Sequence, residues 1–527
     1  MNSAGAGAGR EAARLATRAA LGPGSGPSSS SGSGLSPGSG LGTTAVVWYR
    51  ASDLRMHDHE ALYTAHCNCQ HDRVLHVFCF DDRVHKGTTV DFSKSLPVLG
   101  WKKCGVFKTE FLRECVVDLQ QSLEALGQSL VVRSGIPEIV IPELALACGA
   151  SDVYCHEAEA SEEHNVQVAM STALRTSSNG VCQLRSLWGN TLYHIDDLSC
   201  LKLSPPGKFP KSATQFRTVC EKSSLIRAPL PGPQDGNNDE CNLILKPPPT
   251  LLPSSAHKIS PGNVPSLATL MGDSSLADLE QQGATSSSST VKRYQGGETA
   301  GLRHWNEYLW DKDLLRTYFH TRNGMLGEDY STKLSPWLAA GCISPRRIVS
   351  DIRRYEATRV KNKDTYWLIF ELTFRDYFRY YVHVHGNSVF KRHGPQGKRS
   401  IRQDPATAER EWSVDATKLD QWRKGQTGNA MVDACMRELQ TTGYMSNRGR
   451  QIVASFLTRD YGLDWRLGAM HFESLLVDHD VCLNWGNWTY AAGVGSDPRE
   501  DRYFSVPKQT KNYDSDYRYN FDRLITK

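Results

Sequence analysis

Long apolar runs are missing from this 527-residue chain, and no stretch of about 18 consecutive apolar residues is present to span a membrane. Paired Cys-x-x-Cys motifs are also absent from its 14 cysteines, and the Cys67-Asn68-Cys69 spacing is too short for a zinc knuckle. We therefore expect reduced thiols, an intracellular protein and no metal site. A large excess of charge of either sign is lacking too. The chain has 61 Lys and Arg against 57 Asp and Glu, so the overall charge does not indicate a nucleic-acid partner.

The amino-terminal segment, residues 1–43, contains little that a folded core could use. Its second half is Gly, Ser and Pro with almost no apolar side chains, which predicts disorder. Its first half carries Arg10, Arg14 and Arg18 at helical spacing against a single acid, in the manner of an organelle transit peptide. An untargeted flexible tail explains the same residues, so the compartment stays open between a mitochondrion or plastid and the cytoplasm or nucleus.

Residues 44–203 alternate between strand and helix patterns. Apolar runs predict strands at 43–50, 73–82 and 128–135, and an apolar period near 3.6 residues predicts a helix at 106–126. Such alternation is typical of a doubly wound parallel sheet with helices on both faces, a Rossmann-like α/β fold. No GxGxxG motif follows the first strand, so no dinucleotide site is predicted there. Any ligand of this domain should lie beyond the carboxyl ends of the strands.

The rest of the chain divides at two changes in composition. Residues 204–296 are rich in Pro, Ser and Gly, which predicts a surface linker that is partly disordered and lacks a regular element. Residues 297–505 show periods near 3.6 almost throughout and predict an all-α domain, followed by a short tail at 506–527. The predicted architecture is therefore an α/β domain, a long linker and a helical domain.

One predicted helix, TYWLIFELTFRDYFRYYV, carries charges within its apolar face. Glu371 and Arg375 share that face with Trp367, Phe374 and Phe378. Unpaired buried charges are costly, so the rings around them favour the wall of a polar pocket. An (i, i+4) ion pair between the two charges is the alternative, and such a pair contributes only about 0.2–0.5 kcal/mol.

Three further polar clusters predict one large ligand with a pyrophosphate group. NRGR at 447–450 places an Asn and two Arg at a helix start, where free N–H groups attract phosphate. STKLS at 331–335 places hydroxyl groups and a Lys on a turn. DHDVCLNWGNW at 478–488 combines acids and amides with indole rings, and these polar groups suit ribose hydroxyls and the edge of a heterocycle.

Taken together, the motifs resemble those of one family. Over 43–505 the chain is similar to the photolyase/cryptochrome flavoproteins, through TRNGM, YSTKLSPWLAAGCISPR, FELTFRDYF, GYMSNRGRQ and DHDVCLNWGNW. The stretch FPKSATQFRTVCEKSSLIRAPLP and Gln451 after NRGR resemble the DASH cryptochrome branch in particular. The resemblance implies FAD in the helical domain. It also implies an antenna pigment, 5,10-methenyltetrahydrofolate, in the α/β domain beside Glu157 or Glu159.

The resemblance also implies roles for individual residues. Those expected at the flavin's phosphates and ribose are Tyr318, Thr332, Lys333, Leu334, Ser335 and Arg375. Those expected around the rest of the cavity are Asn447, Arg450, Asp478, Asp480 and Asn484, the last facing flavin N5. Those expected to touch the substrate are Arg322, Glu371, Phe374, Asn447, Gln451 and Tyr490. Among them, Arg322 would contact the DNA backbone and Glu371 would hydrogen-bond the damaged pyrimidines.

Trp412, Trp465 and Trp488 match the spacing of the family's electron relay, which leads from the protein surface to photoexcited flavin. On sequence alone, packing is the stronger interpretation, because most Trp side chains in folded proteins are large buried rings. The family match favours the relay. Trp422 and Trp485 have no matching role and are interpreted as packing.

Phe374, Tyr490 and Gln451 depart from the family's duplex-repairing photolyases, where the resemblance implies Trp, Trp and Met. These side chains would stack on a flipped dimer or wedge behind it. Flipping a lesion costs a few kcal/mol, and one base stack is worth about 1–3 kcal/mol, so a weakened stack is comparable with the whole cost. The departures therefore predict a preference for single-stranded or looped DNA.

The predicted activity is blue-light-driven splitting of cyclobutane pyrimidine dimers by an FAD-containing monomer that binds single-stranded DNA, with RNA open as a second partner. One alternative is a signalling photoreceptor without repair, which the short tail makes less favoured. Another is a light-independent nucleic-acid-binding flavoprotein that uses the basic run FKRHGPQGKRSIRQ at 390–403. A flavoprotein that has lost its activity is the third.

Overall fold

The computed structural model describes residues 43–88, 100–199, 201, 209–233, 243–249, 259–277, 294–395, 412–496 and 503–519. The segment predicted as disordered or as a transit peptide, 1–42, lies outside the described residues, as do 396–403 of the basic run and 520–527 of the tail. Parts of the predicted linker lie outside them too. The described residues belong to one compact unit.

A five-stranded parallel sheet forms the first part of the described chain. Its strands are β1 Thr44–Tyr49, β2 Arg73–Asp81, β3 Leu130–Gly135, β4 Ala150–His156 and β5 Gln183–Leu187. They lie in the order β3-β2-β1-β4-β5, so the winding of the chain reverses between β1 and β4. Val47 of β1 lies opposite His76 of β2 and Tyr154 of β4. This topology confirms the predicted doubly wound α/β fold.

Helices cover both faces of the sheet. They are α1 Glu60–Cys67, α2 Asp82–His85, α3 Val106–Glu124, α4 Pro137–Ala147 and α5 Ser161–Ser177. Successive strand residues point to opposite faces. Val46 and Trp48 pack with α4 and α5, whereas Val47 and Tyr49 face a core shared with α3 and the helical domain. Both faces are buried, which is why β1 reads as a continuous apolar run.

The stretch predicted as a linker contains a helix, α6 Ala213–Ser223. Phe216 on this helix is fully buried, and its ring centroid lies 5.7 Å from that of Tyr377 in the helical domain. The prediction that no regular element occurs here was wrong for these residues. The prolines of SPPGKFP precede the helix and do not interrupt it, and the Ser212 side chain caps its first turn.

The remaining chain is helical, which confirms the predicted all-α second domain. A second helix of the predicted linker, α7 Leu267–Met271, precedes that domain, so the linker prediction was wrong here as well. The helices of the domain are α8 Glu298–Asn306, α9 Tyr318–Thr321, α10 Ser335–Ala339, α11 Pro345–Thr358, α12 Lys363–His385, α13 Ala416–Arg423, α14 Ala430–Thr442, α15 Asn447–Ser455, α16 Trp465–Leu475 and α17 Val481–Ala492. The predicted tail contains α18 Val506–Tyr513. No helix among the described residues has both the length and the hydropathy needed to cross a membrane.

Candidate active site

Glu371 lies at the centre of a polar cluster on α12. Arg322 Nη1 donates to Glu371 Oε1 at 2.8 Å, and the Tyr318 hydroxyl donates to the other carboxylate oxygen. Glu371 is thus paired with Arg322, so the (i, i+4) pair with Arg375 is not what stabilises this charge. Burial raises the pKa of Glu371, although Tyr318 and Arg322 act in the opposite direction. A carboxyl group of raised pKa can donate a hydrogen bond as well as accept one.

Arg375 occupies a buried position between the two domains. Its Nη1 donates to the Asn190 carbonyl at 2.7 Å, and its Nη2 donates to the Leu338 carbonyl of α10 at 3.2 Å. Burial lowers the pKa of Arg375 to about 10, so the guanidinium stays charged at neutral pH. Both hydrogen-bond partners are neutral carbonyls, and a cation held in this way can still attract an anionic phosphate.

The STKLS turn leads into α10. Lys333 has a φ of 50°, in the left-handed region, and its Nζ donates to the Gly327 carbonyl at 2.8 Å. Thr332 is buried and its carbonyl accepts from His304 Nε2 at 2.8 Å. Leu334 is buried as well, which anchors the turn in the core. The Lys333 ammonium also lies 5.8 Å from the centroid of the Tyr444 ring.

Arg450 and Asp478, which sequence motifs placed on separate elements, form an ion pair. Arg450 Nη2 donates to the two carboxylate oxygens at 2.7 and 3.0 Å. The Arg450 guanidinium lies 5.6 Å from the Tyr444 ring. The STKLS turn, α15 and the segment before α17 therefore meet at Tyr444, a residue that the sequence motifs did not single out.

Arg379 is a second residue that sequence reasoning missed. Its Nη2 donates to Asp480 at 2.6 Å and its Nη1 donates to Glu159 of the α/β domain at 2.7 Å. Asp480 also caps α17 by accepting from the backbone N–H groups of Cys482 and Leu483 at 2.9 and 3.1 Å. Burial opposes the charge on Asp480, but Arg379 and the nearby Arg375 guanidinium outweigh it and lower the pKa of Asp480 to about 2. The signal for Arg379 was its position one turn after Arg375 on a buried helix.

Asn484 and Trp488 lie one turn apart on α17. Asn484 Nδ2 donates to the Ala469 carbonyl at 2.9 Å, which fixes the amide and leaves its oxygen as an acceptor. A Cβ at Gly468 of α16 would lie 2.1 Å from the Trp488 ring, so only glycine permits this close approach of α16 and α17. A neutral amide and an indole are thus held rigidly on neighbouring turns.

The three tryptophans predicted to form an electron relay are all buried in one apolar core. The Trp412 carbonyl accepts from Arg392 Nη2 at 2.7 Å, and Trp465 Nε1 donates to the Arg392 carbonyl at 3.0 Å, so Arg392 links these two. The Trp465 ring lies 5.8 Å from that of Trp485. The structure thus brings a tryptophan interpreted as packing next to a relay candidate.

Trp488 has a similar neighbour. Its ring centroid lies 6.3 Å from that of Trp422 and 5.2 Å from that of Phe472. Trp422 is fully buried and donates through Nε1 to the Val453 carbonyl at 3.1 Å. A hydrogen-bonded, fully enclosed indole of this kind fits the packing interpretation of Trp422.

Four other residues expected on the substrate side, Phe374, Asn447, Gln451 and Tyr490, lie on three helices. Phe374 on α12 and Tyr490 on α17 are half-buried, and Asn447 is exposed at the start of α15. Gln451 Oε1 accepts from Arg448 Nη1 at 2.8 Å. Each of these four side chains is at least partly exposed and can therefore meet a ligand from solvent.

One group of described residues could hold a metal ion: Asp53, His59 and His156 at the carboxyl ends of β1 and β4. His59 Nδ1 accepts the backbone N–H of Leu62 at 3.0 Å, so the proton of the neutral ring is on Nε2, the nitrogen that faces Asp53. A protonated nitrogen cannot ligate a metal. We therefore interpret the cluster as part of the buried core, in which His156 Nδ1 lies 2.9 Å from the Asp53 carboxylate.

These residues fit an FAD molecule. Arg375 and Lys333 offer the positive charge that a diphosphate requires, and Asn484 presents an amide oxygen with a fixed orientation. Asp480 is ionised at neutral pH, because its pKa is lowered to about 2, and a carboxylate accepts hydrogen bonds from ribose or a ring N–H.

Comparison with known proteins agrees with this geometry. Residues 367–521 match the model of the FAD binding domain of DNA photolyase, and residues 45–234 match the DNA photolyase model. The chain is 44% identical over 484 residues to a Cryptochrome DASH, chloroplastic/mitochondrial, of Arabidopsis thaliana, covering 91% of this chain and 75% of that one. It is 44% identical over 477 residues to a Cryptochrome DASH of Gloeobacter violaceus, covering 90% and 84%.

Two solved structures are also similar. A Synechocystis sp. cryptochrome has a TM-score of 0.73 at 38% identity, covering 92% of this chain and 89% of that one. A class III photolyase from Agrobacterium tumefaciens has a TM-score of 0.68 at 25% identity, covering 92% and 87%. With relatives above 40% identity over most of its length and both family models matched, the chain belongs to the photolyase/cryptochrome family as a DASH-type cryptochrome with an FAD-binding domain.

Proposed function

We propose that this protein splits cyclobutane pyrimidine dimers in single-stranded or looped DNA under blue light. The observation that carries the proposal is the cluster of Glu371, Arg322 and Tyr318, which sets a carboxyl group of raised pKa on the same helix as the half-buried Phe374. When bound, FAD supplies the photoexcited electron that opens the cyclobutane ring and takes that electron back, so no net redox change occurs.

The protein's own residues would position the reactants. Glu371 holds a proton between itself and a pyrimidine carbonyl, where it stabilises the charge that the dimer gains on reduction. Arg322 lies beside it and is suited to a phosphate of the damaged strand. Phe374 and Tyr490 present rings to the bases and exclude water. Binding of the flavin's phosphates falls to Arg375 and to Lys333, which the STKLS turn holds.

A folate antenna is the second cofactor we propose. Glu157 and Glu159 come one and three residues after His156, the last residue of β4, and ligands of doubly wound sheets lie at such strand ends. The Glu159 carboxylate is bound by Arg379, which also binds Asp480. Either acid can serve as the antenna contact, and this ion-pair chain would connect the antenna region with the flavin region.

The proposal is tested by illuminating the purified yellow protein with dimer-containing oligonucleotides. We expect repair of the single strand to be about tenfold faster than repair of the duplex, because a weakened stack fails to offset the flipping cost. Phe374→Trp should narrow this difference about fivefold, and Tyr461→Trp, which changes a half-buried ring outside the site, should leave it unchanged. Equal wild-type repair of both substrates would contradict the argument from Phe374 and Tyr490.

Replacing Trp488 with Phe should slow photoreduction of oxidised FAD roughly tenfold or more, since phenyl rings give up electrons much less readily than indoles. The measurement is the loss of oxidised-flavin absorbance under constant blue light with an external thiol as reductant. Trp422→Phe is the matched control, because that ring is equally buried and lies 6.3 Å from Trp488. If the two variants photoreduce at the wild-type rate, Trp488 has only a packing role.

A further inference from the structure

Four aromatic rings form a continuous row on the outer half of α12 and the neighbouring α9. The centroid distances are 4.6 Å from Phe319 to Trp367, 4.8 Å from Trp367 to Phe370 and 5.2 Å from Phe370 to Phe374. All four are half-buried, whereas the next ring inward, Phe378, is buried. We call these four rings the aromatic row. It leads from the proposed dimer pocket at Phe374 towards the surface.

Three cationic side chains lie over the aromatic row. Lys363 Nζ is 3.6 Å from the Phe319 centroid, and the Arg322 guanidinium is 4.8 Å from the Trp367 centroid. Arg217 of α6 lies 5.0 Å from the centroid of Phe370. Rings and cations therefore alternate along the same path.

The neighbouring acids cancel only part of this charge. Glu371 pairs with Arg322 at 2.8 Å, and Glu221 lies 3.7 Å from Arg217. Lys363 is exposed at the first position of α12, and the contacts that the described residues give its ammonium are with the Phe319 and Trp367 rings. The outer end of the row thus has an exposed lysine beside a half-buried ring.

We infer that the aromatic row is a track for the single-stranded DNA that flanks the lesion, an inference that rests on the proposed function and extends it beyond the dimer pocket. Sequence-tolerant single-strand binders combine stacking rings for bases with cations for phosphates, and this is the composition of the row. A duplex keeps its bases stacked inside, so it cannot use the rings. An apolar peptide would use the rings but not the three cations.

The first base of the strand would take the place of the Lys363 ammonium on the Phe319 ring. An exposed cation–π contact is worth about a 2- to 5-fold factor in affinity, whereas stacking one base on an aromatic ring is worth about 5- to 150-fold. A base therefore displaces the Lys363 ammonium from the ring, and the flexible side chain then reaches the adjoining phosphate. The free protein keeps the ring covered until a strand arrives.

The test is dark binding of undamaged, fluorescently labelled 15-nucleotide oligothymidylate to the FAD-loaded protein. Phe319→Leu should weaken binding about 5-fold or more, and Phe319→Tyr should restore it. Lys363→Gln should reduce the slope of log affinity against log salt by about 0.7, the value for one phosphate contact on a single strand. Lys418→Gln is the matched control, because Lys418 lies 5.7 Å from the Tyr461 ring in a similar pair elsewhere.

The outcomes separate this inference from the proposed function. Wild-type affinity of Phe319→Leu for the oligonucleotide would overturn the proposed track. A salt slope that falls as much in Lys418→Gln as in Lys363→Gln would overturn it too. Equal weakening of duplex binding would overturn it as well, because a duplex cannot stack on the row. Light-driven repair of a thymine-dimer dinucleotide, which is too short to reach Phe319, reports on the dimer pocket alone. If the dinucleotide is not repaired but Phe319→Leu still weakens binding of the single strand, the proposed function would be wrong and the track would remain supported.

Discussion

Replacing Asp480 with Ala should lower the free energy of unfolding by about 3–5 kcal/mol. The substitution removes one of the two carboxylates that hold the buried Arg379 guanidinium, at 2.6 Å, and leaves that charge with Glu159 alone. It also removes the cap of α17, which by itself is worth about 1 kcal/mol. Urea denaturation at equal FAD concentration, followed by tryptophan fluorescence, measures the effect.

Asp415→Ala is the matched control for this loss. Asp415 caps α13 by accepting from the backbone N–H groups of Thr417 and Lys418 at 2.9 and 3.0 Å, as Asp480 does for α17. Because its carboxylate does not hold a buried arginine, we expect a cost of only about 1 kcal/mol. Equal losses in the two variants would show that the cap, and not Arg379, accounts for the role of Asp480.

The same ion pair predicts a pH dependence. The folded-state pKa of Asp480 is about 2, below the unfolded value near 3.9, so its contribution is present above the unfolded pKa. The contribution is lost as the pH falls through the folded pKa, and the lowering corresponds to about 2–3 kcal/mol. Between about pH 4 and pH 2, the wild type should therefore lose more stability than Asp480→Asn, which has no charge to lose. Parallel curves for the two proteins would contradict this assignment.

The elements that the sequence predicts well are those with one simple apolar pattern, either a continuous run or a helical stripe. β1 and β2 are buried on both faces and read as apolar runs, and α3 shows a clean apolar stripe. The edge strand β5 has only two apolar residues in QLRSL, so no strand pattern identifies it. In α6, the surrounding prolines concealed a short helix whose stability comes from packing against Tyr377.

The sequence predicted those site residues that stand out within a single motif. Glu371 and Arg375 stand out because charges occur within an apolar stripe, and the structure gives each of them buried or half-buried polar partners. Arg379 carries the same local signal, but its importance depends on Glu159, 220 residues away in the chain. A periodicity within one helix cannot identify a partner contributed by another domain. The role of Tyr444 was not predicted for the same reason, since its neighbours Lys333 and Arg450 come from different elements.

Replacing Glu371 with Gln should reduce light-driven dimer repair about 100-fold while leaving bound FAD unchanged. Gln keeps the shape of the side chain but cannot share a proton as a carboxyl group does, and such proton-sharing groups contribute about 10²–10⁴-fold. Flash-driven single-turnover repair of a single-stranded substrate measures the loss. Dark binding of the same substrate should change much less, because the stacking rings remain.

Glu473→Gln is the control that separates a role in repair from the general cost of altering a buried acid. Burial raises the pKa of Glu473 to about 7, and its carboxylate accepts from Trp485 Nε1 at 3.2 Å, so like Glu371 it is an acid of raised pKa that accepts a hydrogen bond from an aromatic side chain. Repair should also rise as the pH is lowered towards the raised pKa of Glu371, because the protonated carboxyl is the donor, and this dependence should vanish in Glu371→Gln. Repair within threefold of the wild type in Glu371→Gln would exclude the proposed proton sharing. A pH profile that survives the substitution would assign the titration to another group and leave Glu371 a positioning residue for Arg322.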